Sequence, residues 1–188
     1  MIFGSEKTFA IEAMIHAPSV APSPVLGWMR VWCEGVVFGD FDRPPCALFP
    51  IYLRFQDLAG NLPTLWRPEF GTTSEAQICH CLHLLLYDDN DSFPVESSQP
   101  TQERGRSWQT LGKFNFLTHW GEPFDDAGNN FILCTPDGCV RILHRSPDGK
   151  YSPARCAPLP EVLQTIALFL DWFESVARQL ELPFSRSL

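Results

Sequence analysis

The chain has 188 residues, of which 45% are hydrophobic, 13% are aromatic and 19% are charged, and its formal net charge is -8. This length is enough for one substantial core and leaves little room for a second, so we expect a single domain over residues 1–188. Binding to DNA or RNA needs clustered Lys and Arg, and the 14 such residues here are scattered, so we expect no nucleic-acid partner. The negative charge instead favours a basic protein partner.

The sequence has no apolar run of the roughly 18 residues that a membrane span needs, and no basic and apolar start typical of a signal peptide. We therefore expect a cytoplasmic protein that does not bind membranes and that is a monomer or homodimer when free. Because the cytoplasm keeps thiols reduced, the cysteines are expected to be reduced and buried. They are Cys33, Cys46, Cys79, Cys81, Cys134, Cys139 and Cys156.

The N-terminal part of the sequence predicts a small antiparallel sheet. Alternating apolar residues over 9–13 indicate a strand with one buried face. The β-branched and aromatic residues of 26–38 predict a hairpin that turns at Glu34-Gly35. The next segment, 46–58, fits either a short helix or an extended chain, because Pro50 is compatible with a helix only in its first turn.

A helix and a long polar loop are predicted in the middle of the chain. Residues 60–71 contain two prolines and are predicted to form a loop. Thr72 and Glu75 have capping-box spacing, which predicts a helix that continues to about Tyr87. Its predicted inward stripe is Ile78, Leu82 and Leu85. The polar stretch 88–112 is predicted to be a mobile loop.

The C-terminal part predicts a β-meander. Aromatic alternation over 114–118 indicates one strand, and apolar residues at 131–134 and 140–144 indicate two more. Pro-Asp-Gly at 136–138 separates the last two strands, and the same tripeptide recurs at 147–149. This composition is typical of tight turns.

The last predicted element is a long amphipathic helix that begins near Pro160 and ends before Pro183. Its apolar stripe comprises Val162, Ile166, Phe169, Phe173, Val176 and Leu180. Such a stripe packs against a sheet. The sequence therefore predicts an α+β fold, in which helices pack on one face of an antiparallel sheet made of the N-terminal hairpin unit and the C-terminal meander.

Four segments of the sequence resemble one known family. They are the Ile-Phe-Gly start at 2–4, Phe-Ala-Ile-Glu at 9–12, Gly39-Asp40 and the apolar helix segment at 168–173. They resemble the bacterial immunity-protein family forty-two, whose members neutralise the toxins of polymorphic toxin systems. The resemblance implies a protein that binds one cognate toxin domain stoichiometrically and blocks its active site or substrate access. It implies binding without catalysis and without a cofactor.

Acidic and aromatic residues in the second half of the chain are the candidates for toxin binding. Negative charge after the helix that ends near Tyr87 opposes the helix dipole, so another benefit, such as contact with a basic toxin, would explain it. The candidate residues are Asp88, Asp89, Asp91, Trp108, Trp120, Glu122, Asp125 and Asp126. Trp66 and Phe124 are further candidate aromatic anchors. The alternatives are core packing for each aromatic residue and a solvated helix end for the acidic run.

Two other functional classes remain open from the residues alone. Cys79 and His83 are four residues apart on a helix and could face one metal ion, although no second ligand pair follows. A cysteine with His119 or His144 as base, or acid–base chemistry by the carboxylates of 122–126, would make the chain a small hydrolase. No local catalytic motif supports this reading. A regulatory adaptor is the third possibility.

Overall fold

The computed structural model describes residues 1–16, 25–87, 110–125 and 128–179. The strands in these ranges are β1 (Ile2–Gly4), β2 (Phe9–Ile15), β3 (Leu26–Cys33), β4 (Val36–Phe38), β5 (Cys46–Ala47), β6 (Asn129–Cys134), β7 (Cys139–Arg145) and β8 (Tyr151–Pro158). The α-helices are α1 (Leu48–Asn61), α2 (Glu75–Tyr87) and α3 (Leu159–Gln179). None of these helices is long and apolar enough to cross a membrane.

The first five strands form one antiparallel sheet in the order β1-β2-β3-β4, with β5 paired to the start of β3. The predicted strand over 9–13 and the predicted hairpin are confirmed, and the hairpin turns at Glu34 and Gly35, whose φ angles are 49° and 74°. Strand β1 was not predicted. Its three residues are too few to show a period, and they become a strand only by pairing with β2.

Gly4 ends β1 in a conformation that glycine alone adopts easily, with φ at +84°. A Cβ atom there would collide with the carbonyl oxygen of Phe9 and with the side chain of Thr165 on α3. The close approach of β1 to α3 therefore requires glycine, which gives the Ile-Phe-Gly segment a structural role.

The last three strands form a second antiparallel sheet in the order β6-β7-β8. The predicted meander and both of its Pro-Asp-Gly turns are confirmed. The hairpin unit and the meander are thus two sheets. The predicted strand over 114–118 is wrong, because this segment makes a single bridge, from Asn115 to Phe131. Leu117 and His119 have positive φ angles of 64° and 58°, which turn the chain away from an extended path.

Helix α1 settles the ambiguity of the segment 46–58. The chain makes only two strand residues, Cys46–Ala47, before α1 begins at Leu48, so that Pro50 stands in the first helical turn. The predicted loop at 60–71 contains the last two residues of α1, the 3₁₀ turn Leu62–Thr64 and most of the 3₁₀ turn Pro68–Thr72.

Helix α2 has the predicted extent but a different cap. Ser74 Oγ accepts a hydrogen bond from the Gln77 backbone N–H at 3.4 Å, and Gln77 Oε1 accepts one from the Ser74 backbone N–H at 3.2 Å. The predicted box of Thr72 and Glu75 is therefore wrong. Glu75 instead accepts hydrogen bonds from Arg141 at 2.7 Å and from Tyr151 at 2.9 Å, which fasten α2 to the second sheet.

The buried face of α2 differs from the predicted stripe at one position. Ile78 and Leu82 are buried as predicted, but Leu85 is 48% exposed and Leu86 is buried in its place. Of the predicted mobile loop, residues 88–109 lie outside the described part of the chain.

Helix α3 confirms the predicted amphipathic helix. The five stripe residues within its bounds are buried, whereas Leu180 and Pro183 lie outside the described residues. Helices α3 and α1 pack against the inner face of the first sheet, and α2 packs against the second. Phe169 of α3 lies at the centre, with its ring centroid 5.3 Å from that of Phe55 and 6.1 Å from that of Phe3. The predicted α+β class is confirmed.

Replacing Phe169 with alanine is expected to lower the free energy of unfolding by about 3 to 5 kcal/mol, because the fully buried ring would leave a cavity. Chemical denaturation measures the change. The control is Leu168→Ala, one residue earlier on the same helix, where the side chain is 47% exposed. That substitution should change the free energy of unfolding by no more than about 0.5 kcal/mol. Equal losses in the two variants would contradict the assignment of Phe169 to the centre of the core.

Candidate functional site

The outward face of the first sheet carries aromatic side chains that remain partly exposed. In β3, Trp28, Arg30 and Trp32 alternate with Met29 and Val31, which are completely buried on the side of the helices. Neighbouring strands add Met14, 46% exposed, and Val37, 41% exposed. We call this surface the aromatic face. It comprises Glu12, Met14, Trp28, Arg30, Trp32, Val37 and Phe41.

Arg30 and Glu12 organise the aromatic face. Arg30 Nε donates a hydrogen bond to Glu12 Oε2 at 2.6 Å, and Trp32 Nε1 donates one to the same oxygen at 3.1 Å. The Arg30 guanidinium lies 5.0 Å from the Trp32 ring centroid and 4.4 Å from that of Phe41. Burial raises the pKa of Glu12, but the hydrogen bonds from Arg30 and Trp32 outweigh it and hold this pKa below its usual value. The ion pair therefore fixes two aromatic rings in defined positions.

Four exposed carboxylates lie beside this face, on two loops that contact each other. We call them the acidic rim: Asp40, Asp42, Glu122 and Asp125. The backbone N–H of Asp40 donates a hydrogen bond to the carbonyl oxygen of Pro123 at 2.8 Å, which joins the loop after β4 to the 3₁₀ turn Glu122–Phe124. Between them lies a groove of about 340 Å³, lined in part by Asp40, Asp125, Arg43 and His144.

Gly39 makes the contact between these two loops possible. Its φ angle is +105°, and a Cβ atom there would come within 2.9 Å of the Phe124 ring and 3.0 Å of the Met29 carbonyl oxygen. The Gly39-Asp40 pair therefore allows the loop after β4 to pass closely over the turn that carries Glu122.

The structure places the predicted toxin-binding residues in different settings. Glu122 and Asp125 are exposed, as a contact surface requires. Trp120 is only 6% exposed, and its ring packs edge-on against Phe55 and Phe116 at centroid distances of 5.2 and 5.6 Å. The remaining predicted residues, Asp88, Asp89, Asp91, Trp108 and Asp126, lie outside the described residues.

The two further aromatic candidates pack against the protein. Phe124 is buried, and Trp66 is half-buried with its ring edge-on to Phe70 at 5.8 Å. The exposed aromatic residues of β3, Trp28 and Trp32, were not predicted as binding residues. Their alternation with buried residues was the signal that could have identified them.

The candidate metal and catalytic groups have structural partners. Cys79 is buried, and burial raises its pKa to about 11. His83 Nδ1 lies 2.8 Å from Asn129 Oδ1, and His144 Nδ1 lies 2.8 Å from Asn130 Oδ1. Within the ranges that the structure describes, no group of three or more His, Cys, Asp or Glu residues is placed to hold a metal ion.

Burial keeps several of the thiols in their protonated form. Burial raises the pKa of Cys33 to about 12 and those of Cys46 and Cys156 to about 11. Such thiols stay protonated at neutral pH, and the protonated thiol is a poor nucleophile. None of the seven cysteines forms a disulfide. Cys81 is exposed and Cys139 and Cys156 are half-buried, contrary to the expectation that all are buried.

Comparisons with known proteins agree with this architecture. The chain is similar in structure to the crystal structure of CdiI from Burkholderia dolosa AUO158, with a TM-score of 0.59 and 15% identity, over 92% of this chain and 99% of that chain. At this identity the likeness shows a shared fold. No curated protein matches the chain. The model of the family described as Immunity protein 42 matches residues 1–182. The chain therefore belongs to the Immunity protein 42 family, and it is an immunity protein that neutralises a cognate toxin.

Proposed function

We propose that this immunity protein holds its toxin in a stoichiometric complex through the aromatic face and the acidic rim. The bound protein blocks the active site of the toxin or the access of substrate to it. The observation that carries this proposal is the row of Trp28, Arg30 and Trp32, which lies partly exposed on one side of β3, while the other side of this strand is fully buried.

The composition of the aromatic face is that of a protein interface. Tryptophan and arginine are the residues most enriched among those that dominate binding energy. Arg30 is already held by Glu12 and by the rings of Trp32 and Phe41, so binding would cost little side-chain entropy. A partner that covers the face would bury apolar surface around an ion pair that is already satisfied.

The acidic rim favours a basic toxin. Its four carboxylates are exposed, and the whole chain has a net charge of -8, so the long-range field attracts a positively charged surface. Exposed charges of this kind raise the rate of association more than the final affinity. The predicted contacts at Asp88, Asp89, Asp91, Trp108 and Asp126 remain part of the proposal, and the four carboxylates among them add to the charge that attracts a basic toxin.

The proposed inhibition proceeds by binding in the cytoplasm, without catalysis or a cofactor. The raised pKa values of five thiols support this mechanism, because each thiol is kept in its unreactive form by burial. They belong to Cys33, Cys46, Cys79, Cys134 and Cys156.

Co-expression with the toxin domain encoded by the neighbouring gene should rescue growth, and the two chains should co-purify at about 1:1, since immunity genes lie beside those of their toxins.

We expect Trp32→Ala to weaken the complex by about 30-fold or more, the effect of losing one dominant interface residue. Titration calorimetry measures the dissociation constant. The control is Leu168→Ala, which removes an exposed apolar side chain from α3 and should leave the affinity unchanged. Equal affinities of Trp32→Ala and wild type would exclude the aromatic face.

Reversing the charge of the acidic rim with Glu122→Lys and Asp125→Lys is expected to slow association by about tenfold at low salt. The difference from wild type should shrink as salt screens the field. Stopped-flow mixing measures both effects. The control carries Glu161→Lys and Asp171→Lys, an equal change in net charge at exposed positions of α3. If both double variants slow association equally, the effect is one of net charge, and the rim has no special role.

A further inference from the structure

A second surface cleft lies between α1 and the segment 112–120, and none of its lining residues belongs to the aromatic face or the acidic rim. Its volume is about 390 Å³, within the range of roughly 300 to 1,000 Å³ that is typical of ligand pockets. Four exposed polar residues stand around it: Arg54, Asp57, Asn61 and Lys113. Leu58 and Trp120, both buried, also line it.

Two buried polar atoms of opposite kind belong to residues that line this cleft. Trp120 Nε1 is a hydrogen-bond donor and Asn115 Oδ1 is an acceptor, and neither has a partner among the described residues. Asn115 uses its amide nitrogen to donate to the Thr118 carbonyl oxygen at 3.1 Å, so only its oxygen is left over. A buried polar atom without a partner destabilises a fold, and native proteins keep few of them.

The packing contacts of Trp120 explain why an aromatic ring lies at this position, but they do not explain why the ring carries an N–H group. The ring packs against Phe55 and Phe116, and the Arg54 guanidinium lies 5.6 Å from its centroid. A phenylalanine would offer the same kinds of contact without leaving a donor unpaired. The N–H group therefore has no role within the described protein, and a partner from outside would give it one.

The donor and acceptor together select the chemistry of that partner. A carboxylate or phosphate would accept a hydrogen bond from Trp120 Nε1 and would attract Arg54 and Lys113. It would leave Asn115 Oδ1 without a hydrogen bond, and it would face the carboxylate of Asp57. A cationic group would donate a hydrogen bond to Asn115 Oδ1 but could not accept one from Trp120 Nε1. A primary carboxamide has an oxygen for the indole N–H and an NH₂ group for the Asn115 oxygen, and it carries no charge.

We propose that the cleft between α1 and the segment 112–120 binds a carboxamide side chain, Asn or Gln, of the toxin. The identity of the partner rests on the proposed immunity function, whereas the chemistry of the group rests on the cleft alone. The cleft gives the complex a polar contact of fixed geometry, because the indole and the amide are both held by their neighbours.

The first test is Trp120→Phe, which removes the donor and retains an aromatic ring. We expect the dissociation constant for the toxin domain to rise by about tenfold or more, the effect of losing a hydrogen bond to a buried group. The control Trp172→Phe makes the same change at a half-buried tryptophan of α3 that does not line the cleft, and it should leave the dissociation constant unchanged. An unchanged dissociation constant in a folded Trp120→Phe variant would overturn the proposal.

A second test needs no variant that might fail to fold. In the wild-type protein labelled with ¹⁵N, the indole N–H resonance of Trp120 should move when the toxin domain is added. Propionamide, added alone at millimolar concentration, should move the same resonance, and sodium propionate, which has nearly the same shape, should not. An indole resonance that does not respond to the toxin overturns the proposal. A response to propionate equal to that of propionamide overturns the choice of a carboxamide.

These tests separate this inference from the proposed function. A toxin domain that fails to bind wild-type protein refutes the proposed immunity complex, while the propionamide titration still tests the cleft.

Discussion

The packing of α3 across the inner face of the first sheet is the contact on which the rest of the structure depends. Phe169 brings together the ring of Phe3 from β1 and the ring of Phe55 from α1. The close approach requires Gly4, because any side chain there would strike α3. Since the helices cover one face of the sheet, the residues that alternate with the buried ones point to the other side. The exposure of Trp28 and Trp32 thus follows from the burial of their neighbours Met29 and Val31 on β3.

The Arg30–Glu12 ion pair then makes this exposed face selective for its partner. Exposed aromatic side chains that are not held in place would let a sheet face associate with many proteins. Here Arg30 and Trp32 share one carboxylate oxygen of Glu12, which fixes the rings and places a satisfied ion pair between them. A specific partner must match both the apolar rings and the ion pair between them. This requirement favours a single cognate protein over nonspecific binding.

The sequence predicted the elements with strong periods or strong turn chemistry and failed where an element is very short or depends on a distant contact. The stripe of α3 and the two Pro-Asp-Gly turns were correct because helical spacing and left-handed turn positions are local properties. Strand β1 pairs with the neighbouring β2 but has only three residues, too few to show a period. The alternation at 114–118 predicted a strand, but whether a segment pairs along its length depends on a distant partner, and no local pattern contains that information. The cap of α2 was misplaced by two residues because Ser74 with Gln77 and Thr72 with Glu75 fit the same rule.

The functional surface could be predicted only in part. Charge indicated Glu122 and Asp125 as candidates, and both are exposed. Trp120 was predicted as an exposed anchor or a core residue, and its burial agrees with core packing. The alternation in β3 could have placed Trp28 and Trp32 on one face of the strand, but whether that face is exposed depends on where the helices pack, which the sequence alone does not contain.

Hydroxyl-radical footprinting of the complex with the toxin domain would locate the binding surface, because it reports the solvent exposure of individual side chains. We expect Met14, Trp28 and Trp32 to lose most of their oxidation when the toxin binds, while Met1, 68% exposed, keeps its own. Unchanged oxidation of these three residues in a saturated complex would contradict the assignment of the aromatic face as the toxin-binding surface.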